Sequence, residues 1–351
     1  MKTIRTTPRP TPRVLADMQA GSIEYRYLGN TGLALSSYGM GCGNFGGIGS
    51  APEFFGQGES EEEAFALLDR AVDLGINYLD TANAYGGGRS ETTIGKWLSG
   101  KDSSVRDNLL VSSKVANPVG DGPNQRGLSR RHILEQIDAS LGRLGVDHLD
   151  MYIVHEPDPS TPLEETLDVL DSLIDAGKIR YIGASNFPAW LIAKALWVAD
   201  IGGFRRFEWI QNSFNLIDQG EQAEVLELCR DQRLGFTNFS PLSGGLLTGK
   251  YRFGEDYPEG SRMTKRPEGY LRYWNQATFD RLDRLAAMAA DAGVSMAGLA
   301  LGWLRNHPDV TSSIVGPRRL SHFDPVEEAL GLDLDESAWS EIGEVFAGQD
   351  D

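Results

Sequence analysis

Cysteine is almost missing from this chain: Cys42 and Cys229 are the only ones in 351 residues. Two thiols cannot build a disulfide framework, and they lack the spacing of a zinc site, so a reducing compartment is expected, the cytoplasm by default. Long apolar runs are missing as well. No window reaches the ~18 residues of a membrane span, and the N-terminal MKTIRTTPRPTPRVLADMQAG has no apolar signal core, so neither membrane nor export is expected. Positive charge is in deficit, with 33 Lys and Arg against 50 Asp and Glu and a net charge of −17. That balance repels phosphate backbones and anionic lipid, so no nucleic acid or membrane partner is expected. Histidine is scarce too: His132, His148, His155, His307 and His322 never fall at metal-ligand spacing, and no metal is expected. His132 and His307, close to expected helix ends, read as surface histidines.

What the chain does have is a hydrophobic fraction of 40%, enough for a large core and too much for a disordered chain. Residues 1–22 hold three prolines with repeated Thr and Arg and read as an extended arm, either free or docked on a neighbouring subunit of a homo-oligomer. From Ile23 a βα pattern recurs. Strands are expected over 35–41, 76–82, 109–115, 149–155, 179–185, 207–213, 235–240 and 312–316. Helices announce themselves by capping chemistry, as in Ser60-Glu61-Glu62-Glu63 and Thr161-Pro162-Leu163-Glu164, the second with Pro162 at the first helical position. The α/β class follows, and eight units spaced ~30–40 residues apart fit one closed (β/α)8 TIM barrel over 23–351 better than an open sheet. Two short extended runs around Gly29-Asn30-Thr31-Gly32 predict a hairpin that plugs the barrel's bottom. Excursions over 44–59 and 241–275 follow strand C-terminal ends, the face where barrel enzymes assemble their sites.

Two glycine motifs invite a nucleotide reading and fail on context. Gly41-Cys42-Gly43-Asn44-Phe45-Gly46 satisfies G-x-G-x-x-G, yet Gly47-Ile48-Gly49-Ser50-Ala51-Pro52 cannot open the helix that a Rossmann site requires. Gly244-Gly245-Leu246-Leu247-Thr248-Gly249-Lys250 approaches a P-loop, but Tyr251 stands where the magnesium-binding hydroxyl belongs. What survives is a loop of exposed backbone N–H groups with a lysine, suited to holding phosphate without cleaving it.

Asp80, Tyr85, Lys114 and His155 lie at or just after successive strand ends, where a barrel gathers them around one mouth. Lys114 sits among Val111, Ser112, Ser113 and Val115, a buried strand, so its ammonium needs a partner such as Asp80. A buried cation beside Tyr85 favours the phenolate and is expected to bring its pKa down from ~10. A neutral His155 could donate a hydrogen bond to a carbonyl oxygen. The set reads as a proton-transfer device for carbonyl reduction.

On LDTANAYG (79–86), SSKV (112–115), YIVHEPD (152–158), GASNF (183–187), Gln211, FSPLSGGLLTGKY (239–251) and SSIVGPRR (312–319), the chain resembles the aldo-keto reductase superfamily over roughly residues 23–330. Within it, the SPLSGGLLTGKY and GSR (260–262) segments are most similar to the group holding bacterial glyceraldehyde-3-phosphate-type reductases and potassium-channel β subunits. The resemblance implies NADPH-dependent reduction of an aldehyde or ketone, with Asp80, Tyr85, Lys114 and His155 as catalytic tetrad and Tyr85 as proton donor. It places Ser185, Asn186 and Gln211 on the carboxamide and Phe239 on the nicotinamide face. Ser240, Leu242, Gly244, Lys250 and Arg262 would clasp the phosphates, and Cys42 and Gly43 would line the cofactor. Gly316, Arg318 and Arg319 would receive a 2′-phosphate. The family's following Gln, Glu and Asn align with His322, Pro325 and Val326, so His322 stands at a departure from the pattern; either backbone and Arg stacking compensate or the cofactor exchanges faster. Asn44, Phe45, Phe187 and Trp274 are the expected pocket wall for a small-molecule carbonyl substrate. A nucleotide-linked keto-sugar or natural-product ketone, motivated by 261–275, and a nicotinamide-binding regulatory subunit with little turnover are the alternatives.

Overall fold

A computed structural model describes residues 22–347. The expected arm over 1–22 therefore lies, except for Ser22, outside the described residues. Tyr25–Tyr27 (β1) and Ala34–Ser36 (β2) pair antiparallel, with Tyr25 opposite Ser36. Their turn needs glycine at one point: Gly29 has φ +53°, and a Cβ there would lie 2.5 Å from the Gly235 nitrogen and 2.8 Å from the Arg233 and Glu208 carbonyls. Leu28 and Leu35 thereby enter a cluster with Tyr78, Met151, Ile153, Trp209 and Ile314, closing one end of the barrel as expected.

The barrel strands are Tyr38–Gly41 (β3), Tyr78–Asp80 (β4), Leu110–Val115 (β5), Leu149–Val154 (β6), Ile179–Ser185 (β7), Trp209–Ser213 (β8), Gly235–Phe239 (β9) and Ser312–Val315 (β10). All eight are parallel and close in the order β10-β3-β4-β5-β6-β7-β8-β9. The expected strand over 35–41 is in fact two. The chain turns at Ser37, whose N–H donates to the Glu24 carbonyl at 2.7 Å, so 34–36 belongs to the plug and 38–41 to the barrel. Alternation of side chains cannot reveal that corner, because both pieces are extended.

Period-two alternation sorts side chains between the barrel interior and the helical shell. On β5, Val111 and Val115 join the outer core and Ser113 donates to buried Glu91 of helix Arg89–Ser99 at 2.5 Å. Ser112 and Lys114 point the other way, to Asp80.

The Ser60 capping box forms, with Ser60 N–H donating to Glu63 at 2.8 Å and Glu63 N–H donating to the Ser60 hydroxyl at 3.2 Å. The second expected box does not. Pro162 is itself the N-cap of Leu163–Asp175, and Thr161 donates its hydroxyl to Asp158 instead, which also accepts from the Ser160 N–H in the same turn and from the Leu128 N–H of the segment after β5. His132 and His307 also depart from expectation. His132 is fully buried beneath the helix Arg130–Leu144 that it helps to open, and His307 packs against Phe214 and Trp303, each 5.1 Å away, where burial pulls its pKa down to about 4. Both sit at the edge of an apolar stripe, and a helix end next to the core buries an aromatic ring as readily as an aliphatic chain. No single helix among the described residues is long and apolar enough to cross a membrane.

Gly183 lies on β7 where a Cβ would fall 2.5 to 2.8 Å from the fully buried Trp209 ring. Gly183→Ala is expected to destabilise the fold by ~1–3 kcal/mol through overpacking, read as a lower denaturant midpoint. Gly32→Ala, which meets nothing within 4 Å, serves as the neutral control; equal midpoints for the two would refute the packing argument.

Candidate active site

The mouth of the barrel is organised around Asp80, at the end of β4. Lys114, on the neighbouring β5, donates to Asp80 Oδ2 at 2.6 Å and to the Thr81 carbonyl at 2.8 Å, and its side chain is 1% exposed. The other carboxylate oxygen accepts from the Tyr78 hydroxyl at 3.1 Å, the Ser112 hydroxyl at 3.0 Å and the Gln211 amide at 3.0 Å. An ion pair this deep is tolerable only when its remaining lone pairs are filled, and here they are. Tyr85 follows β4 in a left-handed glycine turn (Gly86 to Gly88) that lays its ring over the ammonium, 4.9 Å from Nζ to ring centre. Its hydroxyl is 3.4 Å from His155 Nε2, just past the end of β6. All four residues expected to act together are thus gathered at one rim.

Their electrostatics match the expectation in part. Burial by itself would lower the Lys114 pKa, but Asp80 and Tyr85 outweigh it and the ammonium is held charged. The Tyr85 phenol goes the opposite way from the sequence reading. Burial raises its pKa by more than Lys114 lowers it, so the resting group is the protonated phenol. Burial and the Lys114 charge hold His155 neutral, well below its ordinary pKa. Its Nδ1 is buried without a partner, so placing the ring hydrogen on Nε2 avoids an unsatisfied N–H and aims a donor at the mouth.

Ser185, Asn186 and Gln211 come together at the ends of β7 and β8, where Ser185 and Gln211 are register partners. The Ser185 hydroxyl donates to the Gln211 carbonyl at 2.6 Å, and Asn186, at φ +61°, donates its amide to the His155 carbonyl at 2.9 Å. Gln211 is more committed than expected. Its amide nitrogen serves Tyr78 and Asp80, which leaves the side-chain carbonyl for a ligand. Phe239 ends β9 half-buried, with Ser240 (φ +55°) and half-buried Leu242 following. Cys42 is fully buried with its thiol pushed up by burial, and its N–H and C=O are taken by Asp80 and Ser90; Gly43 packs against the Tyr85 ring.

The segment 240–249 is a run of left-handed backbone: Ser240, Ser243 (φ +45°), Gly244 (φ +61°), Gly245 (φ +96°) and Gly249 (φ +74°). The Ser243 hydroxyl is buried without a partner. Strained non-glycine backbone persists only where surroundings fix it, and Ala116, Asn186, Ser240 and Ser243 all lie at this face. Beside it stands a group of cations. Lys250 feels the charges of Arg318 and Arg319, and His322 has one ring nitrogen 3.0 Å from Arg319 Nε and the other 3.2 Å from the Arg318 N–H. Burial first, and then the charges of Arg319, Lys250 and Arg318, lower the pKa of the imidazole. Among the described residues neither Lys250 nor Arg319 forms a carboxylate ion pair. Exposed Gly316 precedes this group on the chain, and Arg262 opens a one-turn helix, Arg262–Lys265, in the 241–275 excursion. Left-handed glycines, an unpartnered buried hydroxyl and unneutralised cations fit a phosphorylated dinucleotide.

The expected substrate wall needs correction. Phe45 and Phe187 are 1% exposed, the latter edge-on to Phe207, and the core claims their faces. Trp274 is enclosed by Tyr257, Phe279 and Tyr251 at 4.7, 4.9 and 5.7 Å. Asn44 remains half-buried at the mouth, its carbonyl accepting from Glu59 N–H. A cavity of 430 Å³ lies between the segments after β5 and β6, lined by Ala116, Asn124, Arg126, Glu156 and Asp158 among others and by none of the four residues gathered around Asp80. Segment 116–129 was not singled out in the sequence, and neither were Tyr78 and Ser112. Both of the latter lie two residues before a tetrad member on the same strand, so period two alone points them inward. Among the described residues no group of three His, Cys, Asp or Glu could hold a metal ion.

Comparison with known proteins agrees with this geometry. The sequence model of the Aldo/keto reductase family matches residues 39–347. The chain is 33% identical to the uncharacterized oxidoreductase YrpG of Bacillus subtilis (strain 168), covering 93% of this chain and 97% of that one. It is 33% identical to the L-glyceraldehyde 3-phosphate reductase of Escherichia coli O157:H7, with 88% of each chain covered. A probable voltage-gated potassium channel subunit beta of Oryza sativa subsp. japonica is 34% identical, over 89% of this chain and 92% of its own. With a closed eight-stranded barrel, a matching family model over most of its length and relatives above 30% identity, this chain belongs to the aldo/keto reductase family.

Proposed function

We propose that the protein reduces an aldehyde or ketone to an alcohol with NADPH, Tyr85 delivering the proton to the carbonyl oxygen. The observation that carries this reading is the Asp80–Lys114 pair buried directly under the Tyr85 ring. Ser185, Asn186, Gln211 and Phe239 would hold the nicotinamide, and the 240–250 loop with Arg262, Arg318 and Arg319 its phosphates. When bound, the reduced nicotinamide supplies two electrons and one hydrogen to the carbonyl carbon. The protein's share is the proton and its placement. Because burial keeps Tyr85 protonated at rest, the phenol is in the form that can give its proton away; the phenolate left behind faces the Lys114 ammonium, then takes a proton back from solvent. His155, neutral with hydrogen on Nε2, can donate to the same carbonyl oxygen and fix its orientation. A complete tetrad favours turnover over a purely regulatory role.

Tyr85→Phe should lower kcat by roughly 10²–10⁴-fold while NADPH still binds, measured as absorbance loss at the nicotinamide band across a panel of aldehydes together with a fluorescence titration. Turnover equal to wild type would remove Tyr85 as donor. Arg319→Gln should weaken NADPH by roughly tenfold or more, the scale of one charge-assisted hydrogen bond, and leave NADH unchanged. Equal losses for both cofactors would place the 2′-phosphate elsewhere.

A further inference from the structure

Arg318 is already engaged before any phosphate arrives. Its Nε donates to Glu59 Oε1 at 2.8 Å, and its Nη1 lies 3.4 Å from the Gly260 carbonyl. Arg318 therefore spans the barrel mouth, from the last residue of the 44–59 excursion to the middle of the 241–275 excursion. Glu59 is an unusual partner. Its side chain is 3% exposed, and its Oε2 is buried without a hydrogen-bond partner. The residue is fixed from both sides: its N–H donates to the Asn44 carbonyl at 3.1 Å, it bridges to Phe45, and Ser60 next to it caps the following helix. These contacts fix the backbone that carries the carboxylate, and the enclosure of the side chain holds it beside Arg318.

We propose that Glu59 is a cofactor-discriminating residue that holds Arg318 against a phosphate monoester. A dinucleotide with a 2′-phosphate must share Arg318 with a second, immobile anion. One that ends there in a hydroxyl leaves the Glu59–Arg318 pair intact. Glu59 thus subtracts from the advantage that Lys250, Arg318 and Arg319 give to NADPH, and the two cofactors stand closer in affinity than the cations alone would set them. Arg318 is 37% exposed, so its coupling to the buried Glu59 carboxylate is partly screened, yet a third charge that competes for the same guanidinium is still penalised. This inference rests on the reading of the cation group as the 2′-phosphate site.

The test is direct binding without substrate. Dissociation constants for NADPH and NADH are measured by quenching of tryptophan fluorescence in wild type, Glu59→Gln and Glu59→Asp, with thermal melting to verify folding. Glu59→Gln should tighten NADPH by roughly five- to tenfold and move NADH by no more than about twofold. Glu59→Asp, which withdraws the carboxylate by one methylene, should shift NADPH in the same direction by less, and stands alone if the glutamine variant does not fold. Equal changes for both cofactors, or weaker NADPH binding, would overturn the role of Glu59. A wild type that binds neither cofactor, or an Arg319→Gln variant that weakens both alike, would instead overturn the underlying phosphate-site reading.

Discussion

An ammonium with no water around it is the constraint to which the rest of this site answers. Lys114 is charged in a place where charge is unfavourable, and Asp80 makes that possible only because Tyr78, Ser112 and Gln211 occupy its second oxygen. Removing one member of such a pair typically costs about 3–5 kcal/mol, because the survivor is left buried alone. The network spans β4, β5 and β8, so the chemistry of the mouth and the closure of the barrel depend on the same bonds. Binding, acidity and fold are not separable here.

The buried charge also corrects a simple picture of the acid. A cation beside a phenol does pull toward the phenolate, yet burial of the phenol pushes harder, and Tyr85 rests protonated. In the proposed reaction the ammonium matters after the proton has left, when it faces a new negative charge. Stabilising the product of proton transfer more than its starting state is the form of electrostatic help that speeds a reaction.

Much of this was legible in the sequence. The strand over 179–185 matches to the residue and the others to within a few, and a lysine on the buried run around Lys114 by itself calls for a buried acidic partner. What escaped depends on long-range placement. Tyr78 and Ser112 look like ordinary strand residues until barrel closure turns them toward Asp80. Phe45, Phe187 and Trp274 lie in segments near the mouth, but proximity along the chain does not decide whether an aromatic ring faces a ligand or a neighbouring ring. His132 and His307 show the same gap from the other side, since an imidazole carries no mark of whether the core will take it. Glu59 was hidden for a further reason: its partner is 259 residues away and belongs to the opposite excursion.

Enclosure divides the mouth into two electrical regimes. Dissolved ions cannot come between Asp80 and Lys114, whereas Arg319 and His322 lie open at the rim, within reach of a counterion atmosphere about 8 Å deep at physiological strength. In brine, the proposed grip of this rim on a phosphorylated ligand should slacken while the enclosed ion pair keeps its character, so that, on that reading, a salty solution would starve the protein of cofactor long before it blunted its chemistry.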